Sequence, residues 1–275
     1  MFVLINYANE LFRKAQKLNT FTAKKIGGFD KIIEYSDKDI DEDYYNLHKN
    51  ILCNPRGNGL WLWKPYFILK TLDELQDNDI LFYCDSAAFF IGNAKKRIIR
   101  DMQKNGCDIW VSVVPLLEKQ FTSKSTLVLL KCDEERYKET NQFQAGFLAL
   151  RKNENSVAFV KEWLELCERE ELILPVKSDE EPYFLGHRED QSLLSLLCKK
   201  KNIIPQCDPT QYSVVPEKYK HKKDIKLIPI EQNEKPRPFI ILHRTRNNDF
   251  KICLKAFACA ILPRKVSLRF IQVVE

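Results

Sequence analysis

Short runs rich in β-branched and aromatic residues alternate along this chain with segments whose apolar residues recur at helical spacing. That alternation restricts the fold more than any other feature. Strand-like runs lie at 2–5, 29–36, 79–84, 108–114 (closed by Pro115) and 142–150, with further short ones expected near 203–206, 225–230 and 238–242. Helical spacing marks segments near 9–18, 64–75, 94–104, 155–170 and 188–200. The polar stretch 37–58 between them ends in a Pro/Gly-rich loop at 54–59. Parallel strands need a crossover, and helices between strands supply one, so the pattern predicts an α/β fold with a mostly parallel central sheet flanked by helices.

Composition narrows the class further. With 44% hydrophobic and 30% charged residues among 275, the chain can bury one large core. Its nine cysteines are scattered and include no CxxC pair, so neither a zinc ribbon nor a disulfide framework is spelled out, and a reducing compartment fits. The opening MFVLINYANELFRK has too short an apolar run for a signal peptide, and no stretch reaches the roughly 18 apolar residues of a membrane span. These features set the expectation of a cytoplasmic protein. The net charge of +6 is modest, and Lys and Arg are interleaved with Asp and Glu, which argues against a nucleic-acid partner.

The carboxyl-terminal stretch 251–270 departs from this pattern, combining apolar residues with Lys251, Lys255, Arg264, Lys265 and Arg269 and almost no acid. It reads either as a basic amphipathic helix on an anionic membrane surface or as a terminal helix packed on the domain with a solvated basic face. The chain is accordingly divided into a main domain at 1–245 and a basic amphipathic appendage at 246–275.

Four clusters carry candidate chemistry. Asp85 ends the buried run at 79–84, and strand ends in open α/β sheets face the ligand crevice, so its carboxylate suits a phosphate-bound Mg²⁺ or Mn²⁺. Asp85 or Ser86 also reads as a cap on a following turn. In Gly57-Asn58-Gly59-Leu60-Trp61-Leu62-Trp63-Lys64-Pro65, the glycines permit close backbone approach and Lys64 is a point charge for a phosphate. Trp61 and Trp63 offer flat faces to a sugar, or plug the core. Gln144 and Gly146 could line a polyol pocket, with a bulge glycine among surface amides as the alternative. In His187-Arg188-Glu189-Asp190-Gln191, Asp190 is placed for acid–base work or for stabilising a positive sugar, and alternatively complements a helix dipole. His243 ends the apolar run at 239–242, where it is either a metal ligand or a satisfied structural residue.

Taken in order, GxGxWxWKPY at 57–66, YCDS at 83–86, NQFQAGFLALRK at 141–152 and HREDQSLLSLL at 187–197 resemble a family of bacterial glycosyltransferase-like proteins of capsular and other surface polysaccharide synthesis. The resemblance covers about 1–245 and implies a GT-A-like, Rossmann-type domain. It further implies a nucleotide-diphosphate-sugar donor, a carbohydrate or glycolipid acceptor, and often Mn²⁺ or Mg²⁺.

By that resemblance Asp85 matches the first acid of the DxD motif, Gln144 to Gly146 an acceptor-side segment, Asp190 and Gln191 the pair near the reacting sugar, and His243 a late metal ligand. Asn6, Tyr7 and Ala8 would hold the nucleotide base, and Asp85 with Ser86 the diphosphate. The second acid is missing, because Ala87 stands in its place. Lys64, Arg188, Arg244 or Arg246 would then supply phosphate-neutralising charge. Two other readings stay open. One is a sugar-phosphate nucleotidyltransferase, against which 6–13 contains no glycine for a phosphate loop; the other is a catalytically inactive binding module of the same fold.

Overall fold

The computed structural model describes residues 1–175, 180–230 and 237–267. A five-stranded sheet runs in the order β2-β1-β3-β6-β5, built from β1 (Phe2–Tyr7), β2 (Lys31–Tyr35), β3 (Ile80–Cys84), β5 (Ile109–Leu117) and β6 (Asn141–Arg151). Strands β1, β2 and β3 are parallel, while β6 lies antiparallel to both β3 and β5. The sheet is therefore mostly parallel, as the alternation predicts, with β6 as the one reversed strand.

Period-two alternation assigns the side chains to two cores. Val3, Ile5, Tyr7, Leu81 and Tyr83 face one core with the helices Trp63–Glu74, Glu154–Cys167 and Glu189–Lys200. Phe2, Leu4, Ile80, Phe82 and Cys84 face the other, which is closed by the helix Ala94–Asn105. Both faces of β1 and β3 are buried, which explains why these strands read as unbroken apolar runs. In the Trp63–Glu74 helix, Pro65 sits in the first turn, where its missing N–H costs nothing.

Two local expectations change. Strand β5 does not close at Pro115 but continues to Leu117, with register shifts between Val111 and Leu117. It is an edge strand, and a proline is tolerated at an irregular edge because no ladder N–H is needed there. The stretch 37–58 is not simply polar loop, since it holds the short helices Glu42–Leu47 and Lys49–Leu52.

A second, two-stranded sheet pairs β4 (Ala88–Phe90) with β7 (Ile240–Leu242), antiparallel, with Ala88 opposite Leu242. The short runs expected near 203–206 and 225–230 reduce to single bridges, at Gln206 with Ser112 and at Leu227 with Leu116.

The terminal segment forms the helix Phe250–Ile261, capped by Asp249 Oδ1, which accepts from Ile252 N at 3.0 Å. Ala256 and Cys259 face inward, while Phe250, Ile252, Leu254 and Ile261 are exposed beside Lys251 and Lys255. A short helix, Arg264–Ser267, follows, and 268–270 with Arg269 lie outside the described residues. Among the described residues no helix is long and apolar enough to cross a membrane.

Candidate active site

Strands β1 and β3 end side by side above the sheet, and the chain leaving β3 delivers Asp85 to a cleft of about 590 Å³. Asp85 N donates to Gly146 O at 3.0 Å, which ties the carboxylate to β6. A Cβ at position 146 would lie 3.0 Å from Asp85 Oδ2, so the glycine is needed for close approach rather than for a turn. Tyr83 donates its hydroxyl to Asp85 Oδ1 at 2.7 Å.

Three charges from three elements meet here. Lys64, from the first turn of the Trp63–Glu74 helix, places Nζ 2.7 Å from Asp190 Oδ2 and 3.8 Å from Asp85 Oδ1. Asp190 comes from the first turn of the Glu189–Lys200 helix. The Lys64 and Asp190 side chains are only 4% and 5% exposed, whereas Asp85 is 37% exposed and presents its free edge to the cleft. Burial pushes the Asp190 carboxyl up to about 6, against the pull of Lys64, with the nearby Asp85 charge adding to the rise. Burial alone would lower the Lys64 ammonium, but Asp190 and Asp85 outweigh it and keep the lysine charged. One ammonium therefore serves two carboxylates, and Lys64 is a holder of acids rather than the free phosphate ligand that its sequence setting suggested.

Cations of a different kind share the cleft. The Arg188 guanidinium lies 4.2 Å from the Phe121 ring centre, Arg244 5.0 Å from that of Tyr212, and Arg246 5.8 Å from that of Phe12. Burial first, and then the charge of Arg244, push Arg188 down to about 10. Arg56, by contrast, is forked onto Glu189, with Nε to Oε1 at 2.5 Å and Nη2 to Oε2 at 3.2 Å. Asn58, Trp61, Glu189 and Arg244 all line the cleft with positive φ, a region that side-chain-bearing residues rarely occupy and that tends to gather at functional sites.

Most of the residues singled out from sequence meet in this cleft. Tyr7, Ala8, Trp61, Trp63, Lys64, Asp85, Ser86, Gln144, Gly146, Arg188, Asp190 and Arg244 all line it. Ser86 donates its hydroxyl to Tyr7 O, joining the two strand ends. Trp63 stacks on Tyr7 at 3.8 Å and gives its indole N–H to Gly57 O, so it is a buried wall rather than an open platform.

Two residues are misplaced by the sequence reading. Asn6 points away from the cleft, where its amide donates to Asn19 Oδ1 and accepts from Gln16 Nε2, both at 2.9 Å. It braces β1 from behind instead of touching a base. His243 lies between the cleft-lining Leu242 and Arg244, and alternation along an extended chain sends its ring to the other side, toward Phe89. Its Nδ1 lies 2.8 Å from Thr245 Oγ1, and burial pushes it down to about 4, so it is neutral near pH 7.

The donor set does not fit a divalent cation. Asp85 is the sole carboxylate at the strand end, Ala87 offers only a methyl group, His243 faces elsewhere, and Lys64 lies between the two acids. Among the described residues no group of three or more His, Cys, Asp or Glu side chains is arranged to hold a metal. Sequence reasoning missed Tyr83, which looked like one more core aromatic, and Tyr219, which ends the short 3₁₀ helix Pro216–Tyr219 and donates to Asp208 Oδ2 at 2.7 Å while lining the cleft.

No family model matches the chain, and no curated protein matches it. Among solved structures it is similar to the glycosyltransferase GlyE of Streptococcus pneumoniae TIGR4, at 13% identity over 98% of this chain and 63% of that one, with a TM-score of 0.47. It is also similar to mouse xyloside xylosyltransferase 1 in its apo form, at 9% identity over 75% of this chain and 84% of that one, with a TM-score of 0.42. A third is the bifunctional glycosyltransferase WbbM, at 9% identity over 70% of this chain and 36% of that one, with a TM-score of 0.41. The chain thus spans less than two thirds of GlyE and of WbbM.

Proposed function

We propose that this protein is a glycosyltransferase that moves a sugar from a nucleotide-diphosphate donor to a carbohydrate or glycolipid acceptor in surface polysaccharide synthesis. One observation carries the reading: the Asp85–Lys64–Asp190 cluster shares a single cleft with three guanidinium groups, of Arg188, Arg244 and Arg246, that form no ion pair among the described residues. That cleft offers carboxylates to a sugar and cations to a leaving diphosphate.

In this reading the acceptor hydroxyl attacks the anomeric carbon, the bond to the diphosphate oxygen breaks, and the nucleoside diphosphate departs with the bond's electron pair. Asp190, ionised above about pH 6, takes the acceptor proton or stabilises the positive sugar. Asp85 accepts from sugar hydroxyls through its exposed edge, while Tyr83 and Lys64 hold it in place. Tyr7 and Ala8 would serve the nucleoside, and Trp61 with Gln144 and Gly146 the acceptor; all five line the cleft.

The main unit would span 1–245, although Arg246, just beyond that limit, also lines the cleft. The appendage at 246–275 would rest on the inner face of the cytoplasmic membrane, where an acidic lipid surface complements Lys251 and Lys255 beside exposed Phe250, Leu254 and Ile261. A cytoplasmic protein held there would meet a lipid-linked acceptor.

A panel of nucleotide sugars, each offered with and without a glycan acceptor, tests the reading. Donor turnover is expected in the wild type and lost in Asp85→Ala and Asp190→Ala. Glycan binding that survives in both variants with no donor consumed by any form would instead make the protein a binding module. Nucleotide transfer onto a sugar phosphate would make it a nucleotidyltransferase.

A further inference from the structure

The cleft's positive charge is divided unevenly. Lys64 is already committed to two carboxylates and Arg56 to Glu189, so neither has charge to spare. Arg188, Arg244 and Arg246 form no ion pair among the described residues, yet all three line the same cleft. Each is steadied by an aromatic face instead: Phe121, Tyr212 with Tyr219, and Phe12. An aromatic face orients a guanidinium without using the N–H groups that a carboxylate would occupy. Their donor forks remain available to an incoming anion.

The backbone that brings Arg244 here is anchored on the main chain of residue 87, the position of the missing acid. Ala87 O accepts from both His243 N, at 3.0 Å, and Arg244 N, at 3.1 Å. Position 87 therefore contributes its carbonyl, which docks the end of β7 and sets Arg244 with a φ of +57°. Where a second carboxylate would have helped bind a cation, the chain installs a cation of its own. Arg188, which burial and the Arg244 charge make uncomfortable in the free protein, is relieved when a polyanion enters.

We infer that Arg188, Arg244 and Arg246 form a metal-independent diphosphate site, in which guanidinium groups neutralise the donor's pyrophosphate and the departing nucleoside diphosphate. The inference rests on the donor assignment made under Proposed function. A dianionic diphosphate meeting three guanidinium groups is neutralised without any further cation, and bidentate N–H···O pairing fixes its orientation.

Calorimetric titration of the full chain with inorganic pyrophosphate in EDTA tests this directly. Binding is expected in EDTA, and Arg188→Met and Arg244→Gln should each weaken it by roughly tenfold or more, the usual loss for a charge-assisted hydrogen-bond donor. Arg188→Lys should recover part of the loss, since it restores charge without the fork. Because burial and the Arg244 charge outweigh the pull of the nearby acids on Arg188, Arg188→Met should melt no lower than the wild type without ligand; a large fall in Tm would mark a purely structural role and overturn its part in the site. Absence of pyrophosphate binding in EDTA, whether or not Mn²⁺ restores it, overturns the inference, as does full binding by both variants. The two readings fail separately. Sugar transfer that occurs only with Mn²⁺ keeps the transferase and removes the arginine site, whereas arginine-dependent pyrophosphate binding with no donor ever consumed does the reverse.

Discussion

The Glu189–Lys200 helix carries a buried lysine–carboxylate pair at each end, and the two are built to opposite specifications. At its carboxyl end, Lys199 Nζ lies 2.6 Å from Glu118 Oε2, which also accepts from the Ser195 hydroxyl. Glu118 Oε1 accepts from Thr122 Oγ1 at 2.5 Å and from Gln142 Nε2 at 3.1 Å. Glu118 is fully buried and both its oxygens are used, so nothing is left over for a ligand. At the amino end, Asp190 and Asp85 share one lysine, and Asp85 keeps an edge open to the cleft. A buried charge is thus no mark of function by itself. Spare hydrogen-bonding capacity beside a cavity is the mark, and only one end of this helix has it.

The sharpest way to break the comparison is to neutralise each carboxylate in turn. Asp190→Asn should cut sugar transfer by about 10²–10⁴-fold, the range for loss of an acid–base group, and should cost little stability because Lys64 keeps Asp85. Glu118→Gln should do the opposite, lowering stability by about 3–5 kcal/mol because Lys199 is left without its acid, while the folded fraction retains its turnover. Denaturant titration and specific activity on both proteins decide the matter. Equal stability losses with equal activities would erase the distinction drawn here.

The pH response sharpens it next. The Asp190 carboxyl is raised from 3.8 to about 6. As pH falls through about 6 it gains a proton and loses its role, so kcat/KM should fall on the acid side with a limb near 6 that disappears in Asp190→Asn. The stability sign runs the other way. The folded state holds this proton more tightly than the unfolded chain, so the group favours folding below about pH 4, and that contribution is lost as pH rises through about 6. Activity and this share of stability should therefore move in opposite directions between pH 4 and 6, measurable by initial rates and thermal melts on the same samples.

The smallest effect is expected at Tyr83→Phe. It removes the hydroxyl that donates to Asp85 Oδ1 but leaves Lys64 in place, so transfer should drop by roughly tenfold, as for one hydrogen bond to a charged acceptor. A loss as large as that of Asp190→Asn would show that Tyr83 does more than position a neighbour.

The sequence made the secondary structure readable where the pattern was long. The doubly buried β1 and β3 gave continuous apolar runs, and the Trp63–Glu74 and Glu189–Lys200 helices gave clear periodicity. Strand β4, three residues long, carries too little pattern to be seen. Asp85, Lys64 and Asp190 were visible as charges at a strand end or helix start, but their sharing of one lysine was not, because that contact joins segments far apart in the chain. His243 shows a sharper limit. A strand end can be located from sequence, yet a shift of one residue changes which side chain faces the cleft, and here Arg244 does so in its place.

The late arrival of β7 gives the molecule a history as well as a shape. Every strand of the main sheet has left the ribosome once Arg151 has, and with them the cleft's Asp85 and Lys64. Asp190 follows some way on, and Arg244 and Arg246 emerge only after the chain has passed Ile240 and can clip β7 onto β4. A growing chain that folds from its amino terminus therefore sets Arg188 and the two acids before Arg244 and Arg246, and an unfinished molecule can hold the main sheet while its cleft is still incomplete.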